Sequence, residues 1–142
     1  MLTLATTLIF GAGIIYLSLG SLHLLYTYRG NRFHPHDPEL KGKMENATLR
    51  LTRQTSLWKA WIGFNASHST GAMYFGFMMI FMAWAESAIG EHVVPLLLVA
   101  ILNSAFYTWL ARAYWFRIPV IGCLTATILL VTALFILVAN PQ

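Results

Sequence analysis

Polar and apolar positions segregate along this chain into long blocks. Residues 2–28, 60–85, 93–111 and 118–142 contain no Asp, Glu, Lys or Arg. About 20 apolar residues in a helix span the hydrocarbon core of a bilayer. A helix also satisfies its own backbone in lipid, where no water is present to do so. The pattern therefore predicts four spans, over about 2–28, 60–85, 93–111 and 118–139, the third being the shortest. The expected fold class is an all-α membrane protein, a four-transmembrane-helix bundle, with residues 1–142 forming a single integral membrane domain.

Between the first two spans the pattern changes. His34-Pro35-His36-Asp37-Pro38 reads as a turn. Asp37 is a good N-cap, and Pro38 suits the first helical position. Beyond it, Leu40, Met44, Ala47 and Leu51 recur at helical spacing, with Glu39, Lys41, Lys43, Glu45 and Arg50 on the other faces. This predicts an amphipathic helix over about 38–52, lying in the cytoplasmic interface or docked on the end of the bundle.

Charge orients the pattern. Arg29, Arg32, Lys41, Lys43, Arg50, Arg53 and Lys59 lie between the first and second spans, and Arg112 and Arg117 between the third and fourth. These are all nine Lys and Arg residues; the N-terminus, the 86–92 loop and the C-terminus have none. Short basic loops stay in the cytoplasm. The expected topology puts both basic loops inside and both termini outside.

Composition agrees with a membrane setting. The chain is 58% hydrophobic and 10% charged, where a soluble domain carries about a quarter charged residues. The net charge of +4 reflects topology and attraction to anionic lipid, not nucleic-acid binding. The lone Cys123 cannot form an internal disulfide. The N-terminal segment lacks a basic leader, and its apolar run is too long for a cleavable signal; it is expected to remain as a helix. Asn46-Ala47-Thr48 fits a glycosylation acceptor but falls in the expected cytoplasmic loop and is discounted.

Aromatic residues cluster at the expected interfaces. Tyr26 and Tyr28 flank Arg29, Trp58 and Trp61 flank Lys59, and Trp109, Tyr114, Trp115 and Phe116 surround Arg112 and Arg117, with Trp84 on the outer side. Such rings form interfacial belts. Small residues mark packing faces. On the second span Ala60, Gly63, Ser67 and Gly71 form one stripe, and Ala72 and Gly76 continue another. Gly13, Ser18, Gly20 and Ser21 offer similar contacts on the first. The second span is expected to be central, and the fourth, rich in Leu, Ile and Val, to face lipid.

The candidate chemistry lies in a polar layer. At about 1.5 Å of rise per residue, His23 and Asn65 lie about 9 Å inside the nearest basic residue. His68 and Asn103 lie about 13 Å inside, and Thr125 and Thr127 fall near that level. Asn65 and His68 are three apart and share a helix face. An unpaired imidazole or amide in hydrocarbon costs several kcal/mol, which favours mutual hydrogen bonding. Intramembrane ionisable residues are a functional-site hypothesis by default, against which stands plain helix glue. The expected ligand- or cofactor-binding residues are His23, Asn65, His68 and Asn103.

A small amphiphile, such as a lipid or quinone, fits polar groups at headgroup depth beside apolar walls. Two histidines on facing helices also raise b-type haem, with Phe64, Tyr16 and the glycines as slot walls. A metal site lacks ligands: the layer holds two His, no acid and one distant Cys. Ser67 beside His68 points about 100° away, which disfavours serine catalysis.

The run Thr55-Ser56-Leu57-Trp58-Lys59-Ala60-Trp61-Ile62-Gly63-Phe64-Asn65-Ala66-Ser67-His68-Ser69, with Gly20-Ser21-Leu22-His23 and Asp37-Pro38-Glu39-Leu40 before it, resembles an uncharacterised family of small bacterial four-helix inner-membrane proteins. The resemblance covers the first half of the chain. It implies a bacterial inner (cytoplasmic) membrane location and the same His-bearing layer, and no substrate. Size and topology are also similar to the membrane-associated glutathione transferases, four-helix trimers with a cytoplasmic active site. That group's Arg, Asn and Glu signature has no counterpart in Gly63-Phe64-Asn65-Ala66-Ser67-His68, so no residue is carried over.

The expected function is binding of a small amphiphilic ligand or cofactor at the His/Asn layer, in a protein partnered by the bilayer and by no nucleic acid. The alternatives are an accessory or assembly subunit of a larger membrane complex, and a membrane enzyme of the transferase type; a homo-oligomer is a further expected partner.

Overall fold

The computed structural model describes residues 4–140, apart from the side chains of residues 87 and 91. The regular elements of the described residues are helical: α1 (Leu4–Tyr28), α2 (Pro38–Asn46), α3 (Leu57–Trp84), α4 (Glu86–Ile89), a 3₁₀ turn (Gly90–His92), α5 (Val93–Tyr114) and α6 (Arg117–Ala139). Three of these, α1, α5 and α6, are long and apolar enough to cross a membrane, with mean hydropathies of 1.9, 1.9 and 2.6. At 28 residues α3 has the length, but Asn65, Ser67, His68, Ser69 and Thr70 interrupt its apolar character.

Local chemistry sets the helix ends. The chain leaves α1 through Gly30, whose φ of +90° is a backbone state that a side chain would strain. Asp37 caps α2 by accepting a hydrogen bond from the Glu39 amide at 2.9 Å, with Pro38 in the first turn as expected. Ser56 caps α3 in the same way, accepting from the Lys59 amide at 3.3 Å. Extended backbone at Trp115 and Phe116 separates α5 from α6.

The α2 boundary corrects one expectation. The helix stops at Asn46, not near residue 52, and buries no residue. Ala47 is extended, Thr48 bridges to Ser56 in antiparallel fashion, and the Leu57 amide donates to the Ala47 carbonyl at 2.8 Å. Pairing back toward the start of α3 outcompetes another helical turn. Of the predicted stripe, Leu40 and Met44 are helical, while Leu51 is 92% exposed.

The chain divides into two compact units, Met1–Leu19 with Ala72–Gln142, and Gly20–Gly71. In the first, the core is a set of helix stripes at spacings of three and four: Ala5, Ile9, Ala12 and Tyr16 from α1, Leu97 and Ala100 from α5, and Cys123, Ala126, Leu130 and Ala133 from α6. From α3 it takes Ala72, Met79, Met82 and Ala83. Glycine sets the closest approach. A Cβ at Gly76 would lie 2.5 Å from the Leu17 amide nitrogen and 2.6 Å from the Gly13 carbonyl oxygen. A Cβ at Gly13 would lie 2.7 Å from the Gly76 carbonyl. Only glycine fits on either side of this backbone contact. The fourth span was expected to face lipid, yet one full stripe of α6, Cys123, Ala126, Leu130 and Ala133, is buried in this core.

This unit also buries a polar chain. The Tyr16 hydroxyl sits 2.9 Å from Ser104 Oγ, Ser104 Oγ 2.8 Å from Thr127 Oγ1, and Thr127 Oγ1 3.1 Å from Thr108 Oγ1. Thr108 and Thr127 donate onward to the carbonyls of Ser104 and Cys123. Phe75 and Tyr107 pack edge-on against the Tyr16 ring at 4.8 and 5.7 Å. Interhelical hydroxyl pairs of this kind hold membrane helices together. Tyr16 thus serves this core.

A candidate polar site with an adjoining groove

The second unit contains the end of α1, the basic connection with α2, and the first half of α3. Asn65 lies at its centre and is 1% exposed. Its Nδ2 donates to the Trp61 carbonyl at 2.8 Å, one turn back on α3. Its Oδ1 therefore points outward, 3.0 Å from Nε2 of His23 on α1. An amide oxygen only accepts, so His23 Nε2 donates, and in the neutral ring Nδ1 is the acceptor. Asn65 thus fixes the tautomer and ring direction of His23. The Ser69 hydroxyl, fully buried, donates to the Asn65 carbonyl at 2.7 Å, and Thr27 donates to the His23 carbonyl at 2.8 Å. His23, Thr27, Asn65 and Ser69 are each anchored to a helix backbone or to a second polar group.

His68 joins the cluster through ring contact. Its imidazole meets that of His23 edge to face at a centroid distance of 5.3 Å, and Phe64 stacks beside it at 6.3 Å. The other side of His23 carries Phe33, from the loop, at 4.5 Å. The loop is held there by Trp61, whose indole N–H donates to the Phe33 carbonyl at 3.1 Å. Both imidazoles are half-buried.

Three of the four expected site residues, His23, Asn65 and His68, therefore come together. Asn103 lies half-buried on α5 in the other unit, where its neighbour Ser104 is the residue that enters the hydroxyl chain. Thr125 is exposed and Thr127 belongs to that same chain. The imidazoles touch each other directly. Axial ligands of a haem stand on opposite faces of a porphyrin, and no slot for one separates these rings. Among the described residues no group of three or more His, Cys, Asp or Glu is placed to hold a metal ion.

Sequence reasoning missed the loop's share of the site. Arg32, Phe33, His34, Pro35, Met44 and Trp61 line an open groove of about 370 Å³. Phe33 and Trp61 belong to both groove and cluster, one by its ring on His23, the other by the carbonyl that orients Asn65. His34 packs on Trp58 at 5.0 Å, and Lys41 lies 5.3 Å above the same indole, so α2 is tied to the start of α3. The aromatic residues here read in sequence as an interfacial belt; no local signal shows that Phe33 folds back onto an imidazole.

No protein-family model, curated protein or solved structure matches this chain. Function must be read from the side chains themselves.

Proposed function

We propose that this chain is a four-span membrane protein that holds the polar end of a small amphiphile, such as a lipid or quinone, at the His23/Asn65/His68 cluster. In this reading α3 is the fourth span beside α1, α5 and α6, the two basic loops face the cytoplasm, and α2 lies at that surface. The distribution of Lys and Arg supports the orientation. The observation that carries the function is the arrangement around Asn65: a fully buried amide fixes one imidazole against a second, next to an open, mostly apolar groove. Apolar walls with a few convergent polar groups characterise small-molecule sites. Helix glue needs neither the second imidazole nor the groove. Asn103 remains in the proposal on its place in the sequence pattern alone, and lies on the other unit.

The test is native mass spectrometry from mild detergent, with His23→Leu and His68→Leu alongside. Wild type is expected to retain an amphiphile at stoichiometric level. Both variants should lose it while keeping their helical circular dichroism. An adduct unchanged in both variants, or no adduct on wild type, defeats the reading.

One observation favours an accessory-subunit role as the second reading. The stripe of small residues expected to pack inside the bundle faces outward: Gly63 has nothing within 4 Å of where a Cβ would be, and Ser67 and Gly71 are exposed. A face of that kind admits the close approach of a helix from another chain.

A further inference from the structure

We infer that the groove beside the cluster is a phosphate site for an anionic phospholipid, with Arg32 as the anchor of the head group. This inference rests on the amphiphile reading above and divides the polar end between two adjoining places: the phosphate at Arg32 in the groove, and the neighbouring polar atoms of the amphiphile at the cluster, which meets the groove through Phe33 and Trp61.

Arg32 is the first reason. It lies on the rim of the groove, and its guanidinium stands 4.1 Å over the ring of Tyr26. Stacking of this kind orients the fork without consuming its N–H donors. The ion pairs among the described residues are Lys41 with Glu45 and Lys43 with Glu39, both within α2, so Arg32 forms no ion pair with a described carboxylate. A guanidinium stacked on a ring and paired with no described carboxylate is suited to bidentate recognition of a phosphate.

The walls are the second reason. Phe33, Pro35, Met44 and Trp61 are apolar, and the Trp61 N–H is already committed to the Phe33 carbonyl. They offer contact area and no further hydrogen-bond donor from the indole. Free phosphate gains nothing from such walls. The glycerol and upper acyl segments attached to a phospholipid phosphate do.

Position and charge are the third. Arg32 follows closely on Tyr28, where a helix long and apolar enough to cross the membrane ends. Lipid phosphates lie at that boundary. The unit holds seven Lys and Arg against three acids, Asp37, Glu39 and Glu45, which favours an anionic leaflet. At about 370 Å³ the groove has the volume of a small-ligand site, ~300–1,000 Å³.

The experiment is native mass spectrometry of the full chain titrated with phosphatidylglycerol or phosphatidylcholine of the same acyl chains, for wild type, Arg32→Gln and Arg50→Gln. Arg50 is an exposed loop cation outside the groove, so its variant controls for net charge. Wild type and Arg50→Gln are expected to prefer phosphatidylglycerol by about tenfold, and Arg32→Gln to lose most of that preference. Equal loss in both variants overturns the site in favour of diffuse attraction. Displacement of the lipid by millimolar inorganic phosphate overturns it in favour of a free-phosphate site. Retention of both lipids equally by wild type defeats the groove alone, whereas retention of neither defeats the amphiphile reading with it.

Discussion

Gly76 and Gly63 sit on the same helix, yet a methyl group added to each meets different surroundings. At Gly76 it would run into the backbone of α1 at Leu17 and Gly13; at Gly63 it would meet nothing within 4 Å. The contrast extends along α3. Its second half contributes Ala72, Met79, Met82 and Ala83 to a close-packed core. Its first half contributes Asn65, Ser69 and His68 to a polar cluster, with Gly63, Phe64 and Ser67 exposed on another side. One end of the helix is committed to packing and the other holds the polar cluster. The polar run that keeps α3 below the apolarity of α1, α5 and α6 is the same run that builds the polar cluster.

The sharpest way to break this contrast is at Gly76. Gly76→Ala places a methyl against backbone on both neighbouring residues of α1, where no side chain can rotate away. Overpacking of that kind costs about 3 kcal/mol. Thermal unfolding in detergent should show a large drop in midpoint. A change no greater than that of an exposed glycine would mean α1 and α3 can slide apart freely there.

Asn65→Ala comes next. It removes the acceptor of His23 Nε2 and leaves a half-buried donor without its partner, at a cost of about 1–3 kcal/mol. The ring of His23 also loses the bond that sets its tautomer. Stability should fall less than for Gly76→Ala, while amphiphile retention should fall to background. If stability falls and retention does not, Asn65 is packing glue and the division of labour along α3 fails.

Much of the fold was legible because a lipid-facing helix has a coarse signature: length and lack of charge. Helix α1 agrees with its apolar block to within a few residues, and α5 runs slightly beyond its own. His23, Asn65 and His68 were legible for the same reason, since imidazole and amide groups are exceptional in such blocks. What depth along a helix cannot give is rotation about it. Asn103 and Ser104 are neighbours at nearly one depth, but about 100° apart around the axis, and Ser104 is the one that turns into the core. Tyr16 and Thr108 were invisible for a related reason, because an interhelical hydroxyl chain needs a register that no single helix encodes. The loop was hardest. Met44 belongs to a stripe that stops when the chain pairs back at Thr48, and Phe33 takes its place through Trp61, distant in sequence.

Gly63→Ala should have the smallest effect and sharpens the contrast from the other side. With open space around it, the substitution keeps every described contact and replaces the helix-weakening glycine, a change worth at most about 1 kcal/mol of added stability. The isolated protein should therefore melt at the same temperature or slightly higher, and retain its amphiphile. A larger side chain tells the two readings of this face apart. Gly63→Leu leaves an isolated chain equally unaffected, but it blocks close helix approach. If the chain migrates with a larger complex in native gels of solubilised membranes and Gly63→Leu releases it, the open stripe on α3 is an assembly surface. If migration is unchanged, lipid covers that stripe, and Gly63 has no packing role to set beside that of Gly76.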